Sequence, residues 1–207
     1  MSAAPKRILV IKLGALGDFV QALGPFAAIR RHHPDAHISL LTTPPFKALA
    51  AASGYFDDIW IDTRPKWWQI GRWLVLRRRF ADSGFFRVYD LQTSDRSGFY
   101  YRLFATPKPE WNGIAAGCSH LNPARDMMHT IERQREQLSV AGIDNVALPE
   151  LCWAVSDIAS FGLEKPFVLL VPGGSAHRPA KRWPVAGYIA LANGLAGKGY
   201  QPVLVGT

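Results

Sequence analysis

Residues 7–31 read RILVIKLGALGDFVQALGPFAAIRR, an apolar burst that runs into two glycines, Gly14 and Gly17, and then a lone aspartate, Asp18. ILVIKL is read as a buried strand and residues 19–31 as a helix, so the glycine loop between them sits at the carboxyl edge of a sheet, where open α/β folds bind their ligands. The loop is not a dinucleotide fingerprint. G-x-G-x-x-G needs its second glycine two residues after the first, whereas here the spacing is three, and G-x-x-x-x-G-K-[ST] fails as well. Two roles are open to Asp18. As a helix cap, its oxygen would accept a backbone N–H. As a general base, its carboxylate must point outward within reach of a hydroxyl. A helix N-terminus favours the charged form and so weakens a base, an effect that partial desolvation in a closed cleft would offset.

Outward from this stretch, short apolar strands alternate with helical segments, the pattern of a mostly parallel sheet covered on both faces. Strands are expected over residues 7–13, 37–42, 58–62, 87–92 and 111–114, and helices over 19–31, 45–52, 67–81, 97–104 and 126–141. Residues 142–166, containing DNVALPELCWAVS, break the rhythm and read as a boundary between a first domain over 1–150 and a second part over 151–207. The rhythm then restarts with a strand over 167–171, a glycine turn, a helix over 184–198 and a strand over 202–205. A single β-α-β unit offers two strands where a doubly wound sheet takes several more, so the chain is expected to be the front of a longer protein.

The 207 residues are 48% apolar and 19% charged, which fits a globular chain and excludes a disordered one. No run approaches the ~20 apolar residues of a membrane-spanning helix, and a cytoplasmic protein is expected. Cys118 and Cys152 lack any metal-ligand spacing and are read as plain buried thiols. The net charge of +8 points to an anionic partner. Much of it lies in residues 64–87, RPKWWQIGRWLVLRRRFADSGFFR, read as an amphipathic helix with Trp and Leu toward the core and arginines in water. The same composition would also suit a membrane surface, with cations on anionic lipid and indoles at the interface.

A second constellation follows the strand FVLLV. In PGGSAHRPAKRWP, residues 172–184, Gly173 and Gly174 free the backbone, Ser175 offers a hydroxyl, and His177, Arg178, Lys181 and Arg182 add donors. Pro184 suits the first turn of the next helix, whose free N–H groups would face a diphosphate. Lys181 would sit on the phosphates as a point charge. The alternative is a solvated basic loop.

Together, ILVIKLGALGDFVQALG (8–24), YDLQTSDRSGFYYRL (89–103) and PGGSAHRPAKRWP with PVLVGT (202–207) resemble glycosyltransferase family 9, the ADP-heptose:lipopolysaccharide heptosyltransferases. The resemblance implies a GT-B-like α/β fold: a doubly wound N-terminal domain that binds the acceptor, followed by the first β-α-β of a Rossmann-like domain that binds the nucleotide sugar. It implies that Asp18 is the base of an inverting transfer and that Gly173, Gly174, Ser175 and Lys181 hold the diphosphate, with no metal or other cofactor. The lysine and the helix terminus would then neutralise the leaving diphosphate. By position, Gly14, Gly17, Arg64, Lys66, Gln92 and Arg96 would line the acceptor side, with Ser94 at the same cleft edge, although Arg64 and Lys66 read equally well as surface charge. Arg96 could pair with an acceptor carboxylate. The expected partners are an ADP-sugar and a lipid-linked phosphorylated oligosaccharide, with peripheral contact at the inner membrane. Nucleic-acid binding rests on net charge alone and is not expected. The 207 residues alone are expected to have little or no transferase activity, and the competing reading is a non-catalytic nucleotide- or polyanion-binding fragment.

Overall fold

In the computed structural model the chain forms two compact units, Met1–Ala154 and Val155–Thr207. The structure describes residues 5–122, 128–164, 166–173 and 182–206. In the first unit, strands β1 (Arg7–Ile11), β2 (His37–Thr42), β3 (Asp58–Ile61), β4 (Phe85–Asp90), β5 (Glu110–Gly113) and β6 (His120–Leu121) alternate with helices α1 (Leu16–Gln21), α2 (Leu23–His32), α3 (Lys47–Ser53), α4 (Ile70–Ala81), α5 (Asp95–Tyr100) and α6 (Thr130–Val140).

The six strands make one sheet in the order β3-β2-β1-β4-β5-β6, and every pair is parallel. Successive residues of a strand face opposite sides, so β1 feeds two cores. Ile8 and Val10 pack with Phe19, Phe26, Ala50 and Leu138 beneath α1, α2, α3 and α6. Leu9, Ile11 and Leu13 pack with Phe80, Tyr100 and Trp111 beneath α4 and α5. Burial on both faces is why the strands read as continuous apolar runs rather than alternating ones.

Element boundaries depart from expectation for identifiable reasons. The helix foreseen over 19–31 is two, α1 and α2, joined at Ala22. Pro25 has no N–H to give the Gln21 carbonyl, so α1 cannot run through it, and the hydrogen bonding resumes with the Phe26 N–H on the Ala22 carbonyl at 2.9 Å. The helix expected from residue 67 begins at Ile70, because residues 66–69 close a turn in which the Gln69 side chain accepts the Lys66 N–H at 2.9 Å. α5 begins at Asp95, where the Ser94 hydroxyl caps it by accepting from the Ser97 N–H at 3.2 Å. The helix foreseen over 126–141 is described from Thr130. β6, two residues long, is too short to leave a periodic signal. Cys118 is half-buried and Cys152 exposed, since both lie in irregular segments rather than in a strand or a helix seam.

The segment after α6 returns along α2. Arg31 donates to the Asn145 carbonyl at 2.7 Å and Arg135 to the Val146 carbonyl at 3.0 Å. There the Ala147 carbonyl approaches Gly24 so closely that a Cβ on Gly24 would lie 2.2 Å from its oxygen.

In the second unit, β7 (Phe167–Leu170), α7 (Val185–Ala196) and β8 (Gln201–Leu204) form the expected β-α-β, with the strands paired in parallel. Pro184 is the cap residue before α7 rather than part of its first turn. Leu169, Val185, Ile189 and Leu204 are exposed.

Alanine for glycine inside a helix ordinarily stabilises by about 1 kcal/mol. For Gly24→Ala the sign is expected to reverse, with a loss of about 2 kcal/mol from overpacking against the Ala147 carbonyl, read as a lowered midpoint in urea denaturation. A variant as stable as wild type would show that the 145–148 segment does not hold this position.

Candidate functional site

The chain leaves β1 toward β2 and β3 on one side and later returns to β4, β5 and β6 on the other, so the strand order reverses between β1 and β4. At such a switch point the two following loops diverge and open a crevice above the carboxyl ends of the strands. The loop after β1 carries Lys12 to Asp18, and the loop after β4 carries Leu91 to Ser94.

One peptide ties these loops together. The Leu13 N–H donates to Gln92 Oε1 at 2.8 Å, while the Leu13 carbonyl accepts from the Thr43 hydroxyl and from the Arg64 guanidinium, both at 3.0 Å. Beyond it, Gly14 has φ of +131°, and a Cβ there would come within 2.9 Å of the Phe46 ring, so only glycine fits. Gly17 faces open space. Asp18 lies in the first turn of α1 and is exposed. Its Oδ2 is 3.4 Å from the Ala15 N–H, longer than an ordinary hydrogen bond, so the carboxylate is only loosely held by its own helix.

Two buried charges lie beneath this edge, and neither was singled out from the sequence. Lys12, 2% exposed, donates to the Leu91 carbonyl at 3.1 Å. Burial brings its pKa down to about 8, and the nearby Arg133 pushes the same way, while the charges of Asp18 and Asp90 oppose the shift. Asp90, 0% exposed at the end of β4, accepts the Gln92 and Thr93 N–H groups at 3.2 and 3.1 Å. Burial raises its pKa to about 7 against the pull of the Ser97 hydroxyl, those two amides and Lys12. The signal was present in the sequence, because a lysine in ILVIKL and an aspartate in RVYDL interrupt strands otherwise fit for complete burial.

The turns after β3 and β4 share a device. Arg64 and Thr93 have φ of +46° and +45°, uncommon for residues with a β-carbon, and each is backed by a buried aspartate. Asp62 Oδ1 accepts the Arg64 N–H at 2.7 Å while its Oδ2 accepts from the Tyr100 hydroxyl at 2.6 Å, and Asp90 takes the Thr93 N–H. Strain of this kind gathers at functional edges.

The structure thus brings Gly14, Gly17, Asp18, Arg64 and Gln92 to one edge, with Gln92 and part of the Arg64 fork engaged in holding the loop. Arg96 is half-buried, with long contacts of 3.4 Å to the Tyr100 hydroxyl and the Pro65 carbonyl, and stands 5.8 Å from the Trp73 ring. Lys66 is exposed, its ammonium 5.0 Å from the Trp68 ring. Further along the edge a cleft of about 310 Å³ opens between α5 and the loop after β5, lined by Ser94, Asp95, Phe99, Arg102 and Ile114. Gly173 follows β7 and is exposed. Gly174, Ser175 and Lys181 lie outside the described residues. Among the described residues no group of three His, Cys, Asp or Glu could hold a metal ion.

Folded Asp90 keeps its proton to about pH 7, against an ordinary value of 3.8. Between those limits the folded state binds the extra proton, so this group makes stability fall as pH rises. Asp90→Asn keeps an oxygen for the two amides, and its urea-denaturation series is expected to decline less between about pH 4 and 7 than wild type, by a few kcal/mol at most. Equal declines would show that Asp90 titrates normally.

The model of glycosyltransferase family 9 (heptosyltransferase) matches residues 73–207. That match begins after the Gly14–Asp18 loop. No curated protein matches the sequence significantly. Among solved structures, a family 9 glycosyl transferase from Veillonella parvula superposes with a TM-score of 0.76 at 20% identity, over 96% of this chain and 62% of that one. An E. coli ADP-heptose lipopolysaccharide heptosyltransferase II gives 0.73 at 20% identity, over 97% and 64%. E. coli heptosyltransferase WaaC, solved with ADP-2-deoxy-2-fluoro heptose, gives 0.72 at 16% identity, over 97% and 69%. The chain therefore spans between 62% and 69% of the length of these proteins and shares their fold. On the family match across its larger part, the chain belongs to glycosyltransferase family 9, the heptosyltransferases.

Proposed function

We propose that the chain carries the acceptor side and the beginning of the donor side of an inverting transferase that moves a heptose from an ADP-sugar to a lipopolysaccharide inner-core acceptor at the cytoplasmic face of the inner membrane. Residues 1–150 would bind the acceptor and 151–207 would begin the nucleotide-sugar domain. The observation that carries this reading is the exposed Asp18 carboxylate on a loop pinned at the switch point, with a single long contact to its own helix. A group so placed can meet a hydroxyl from the crevice.

In the reaction, Asp18 removes the proton of the acceptor hydroxyl as its oxygen attacks the anomeric carbon. The bond from that carbon to the diphosphate oxygen breaks with inversion, and the electron pair leaves with ADP. Lys181, with the amides of Gly173 and Gly174 and the hydroxyl of Ser175, neutralises the charge gathering on the diphosphate. Lys66 and the free part of the Arg64 fork meet acceptor phosphates, and Arg96 an acceptor carboxylate. Gln92 and Thr43 act through the Leu13 peptide, which keeps Asp18 at the edge.

Asp18→Asn leaves shape and anion binding in place while removing the base. With the chain joined to a complete nucleotide-sugar domain, transfer from ADP-heptose to a deacylated lipopolysaccharide core is expected to fall about 10²- to 10⁴-fold, with ADP-heptose affinity nearly unchanged by calorimetry. Transfer by Asp18→Asn at the wild-type rate would remove Asp18 as the base. Nucleotide binding with no transfer by the wild-type chain so joined would favour the second reading, a non-catalytic anion-binding module.

A further inference from the structure

The segment from Thr63 to Ala81 carries six cations, Arg64, Lys66, Arg72, Arg77, Arg78 and Arg79, and no carboxylate. The sequence reading turned its Trp and Leu residues toward the core, with a membrane surface as a compatible setting, and the structure divides them: Trp73 and Leu76 face inward, Trp67, Trp68 and Leu74 outward. Only Trp73, Leu76 and Phe80, one stripe of α4, pack inward against the sheet. Trp67 is 83% exposed, Ile70 68% and Val75 66%, and Trp68 and Leu74 are more than half exposed as well. These five side chains fall within the nine residues 67–75. On the helix, Leu74, Val75 and Arg78 lie opposite the buried stripe by the 100° step of an α-helix. The inward Trp73 donates its indole N–H to the Lys66 carbonyl at 3.0 Å, which fastens the Trp67–Trp68 turn to the helix. Trp67 and Trp68 meet edge to face at 5.5 Å. The surface is therefore built rather than frayed.

We propose that this face, the Lys66–Trp68 turn with the outer side of α4, docks on an anionic lipid bilayer. The choice of occupant rests on charge and polarity together. Indoles and aliphatic side chains ringed by arginines, with no acidic residue among them, match an interface whose headgroups are negative and whose interior is apolar. A nucleic acid would engage the cations and leave Ile70, Leu74 and Val75 in water. Arg79 is excluded from the docking set, since its guanidinium stacks 3.8 Å from the Trp60 ring centre. Arg72, Arg77 and Arg78 have no side-chain partner among the described residues and are exposed. α4 follows β3 and begins at the carboxyl edge of the sheet, so the tryptophan end of the face adjoins Arg64, whose guanidinium reaches the Leu13 carbonyl of the candidate site. Docking there would bring that site to the membrane surface, where a lipid-linked acceptor is presented. The identity of the acceptor rests on the proposed function, whereas the docking face does not.

The test is co-sedimentation of the chain with phosphatidylcholine vesicles, with and without about one-third phosphatidylglycerol, at low and high salt, followed also by tryptophan emission. Expected are binding to the anionic vesicles only, weakening with salt, and a blue shift on binding. Arg77→Gln with Arg78→Gln should weaken partitioning about tenfold or more. Trp67→Ser with Leu74→Ser should abolish most of the blue shift while leaving the thermal midpoint of these exposed sites near wild type. Wild type remaining in the supernatant would overturn the proposal, as would variants that bind like wild type. So would a lipid-free dimer, seen by light scattering, that the Trp67→Ser with Leu74→Ser variant abolishes, since a second copy would then cover the face. The assay contains neither sugar donor nor acceptor. Failure to dock therefore bears on this inference alone, and the Asp18→Asn transfer comparison bears on the proposed function alone.

Discussion

The geometry of the edge depends on how one peptide group is held. Leu13 follows β1, and its N–H and carbonyl are engaged from three sides by Gln92, Thr43 and Arg64, which lie just after β4, β2 and β3. A buried or half-buried peptide left without partners costs on the order of 1–3 kcal/mol. The three contacts therefore make a single conformation of the loop much the most favourable one. Because Gly14 then turns the chain with a φ that only glycine takes easily, α1 starts in one direction and Asp18 is presented outward. Side chains that look like ligand contacts from sequence are in part the frame that aims the acidic group.

The charges under that frame are costly. Lys12 and Asp90 are both removed from water, and burial dominates the shift of each, down for the amine and up for the carboxyl. What offsets the cost is local. Lys12 has the Leu91 carbonyl, Asp90 has two backbone amides, and the two groups act on one another with opposite charge. Gln137 of α6 adds to this, donating to the Asp90 carbonyl at 2.9 Å, so a helix far along the chain helps hold the end of β4. The strained turns at Arg64 and Thr93 obey the same rule, each stabilised by an aspartate oxygen on its own amide. Lys12 and Asp90 Oδ1 are thus satisfied by backbone, which orders the loops, while Asp90 Oδ2 is buried with no hydrogen-bond partner among the described residues.

The opposite economy operates on α4. Its inner stripe packs against the sheet, and the rest of its apolar surface is exposed beside cations. Propensity and pattern are satisfied by a helix in either setting, so an apolar residue on α4 does not reveal by itself whether it meets the core or a partner. Among the described residues of the second unit, β7, β8 and α7 likewise leave Val185, Ile189 and Leu204 uncovered.

What the sequence by itself determined is local in origin. The ILVIKL run, the glycines after it and the alternation of strand and helix specify a parallel α/β sheet with a loop at its carboxyl edge, because strand burial, turn chemistry and helix period act over a few residues. Pro25 splitting the first helix and Ser94 starting α5 were readable in the same way. Only the tertiary structure decided that β1 lies beside β4, and so that Lys12 meets Leu91 and Leu13 meets Gln92 across 79 positions of chain. It alone decided that Lys12 and Asp90 are buried while Trp67 and Val75 are not. Strand order and solvent exposure are properties of the assembled layers, set by which surfaces remain to be covered after the sheet has closed its pairings, and no window of sequence contains that sum.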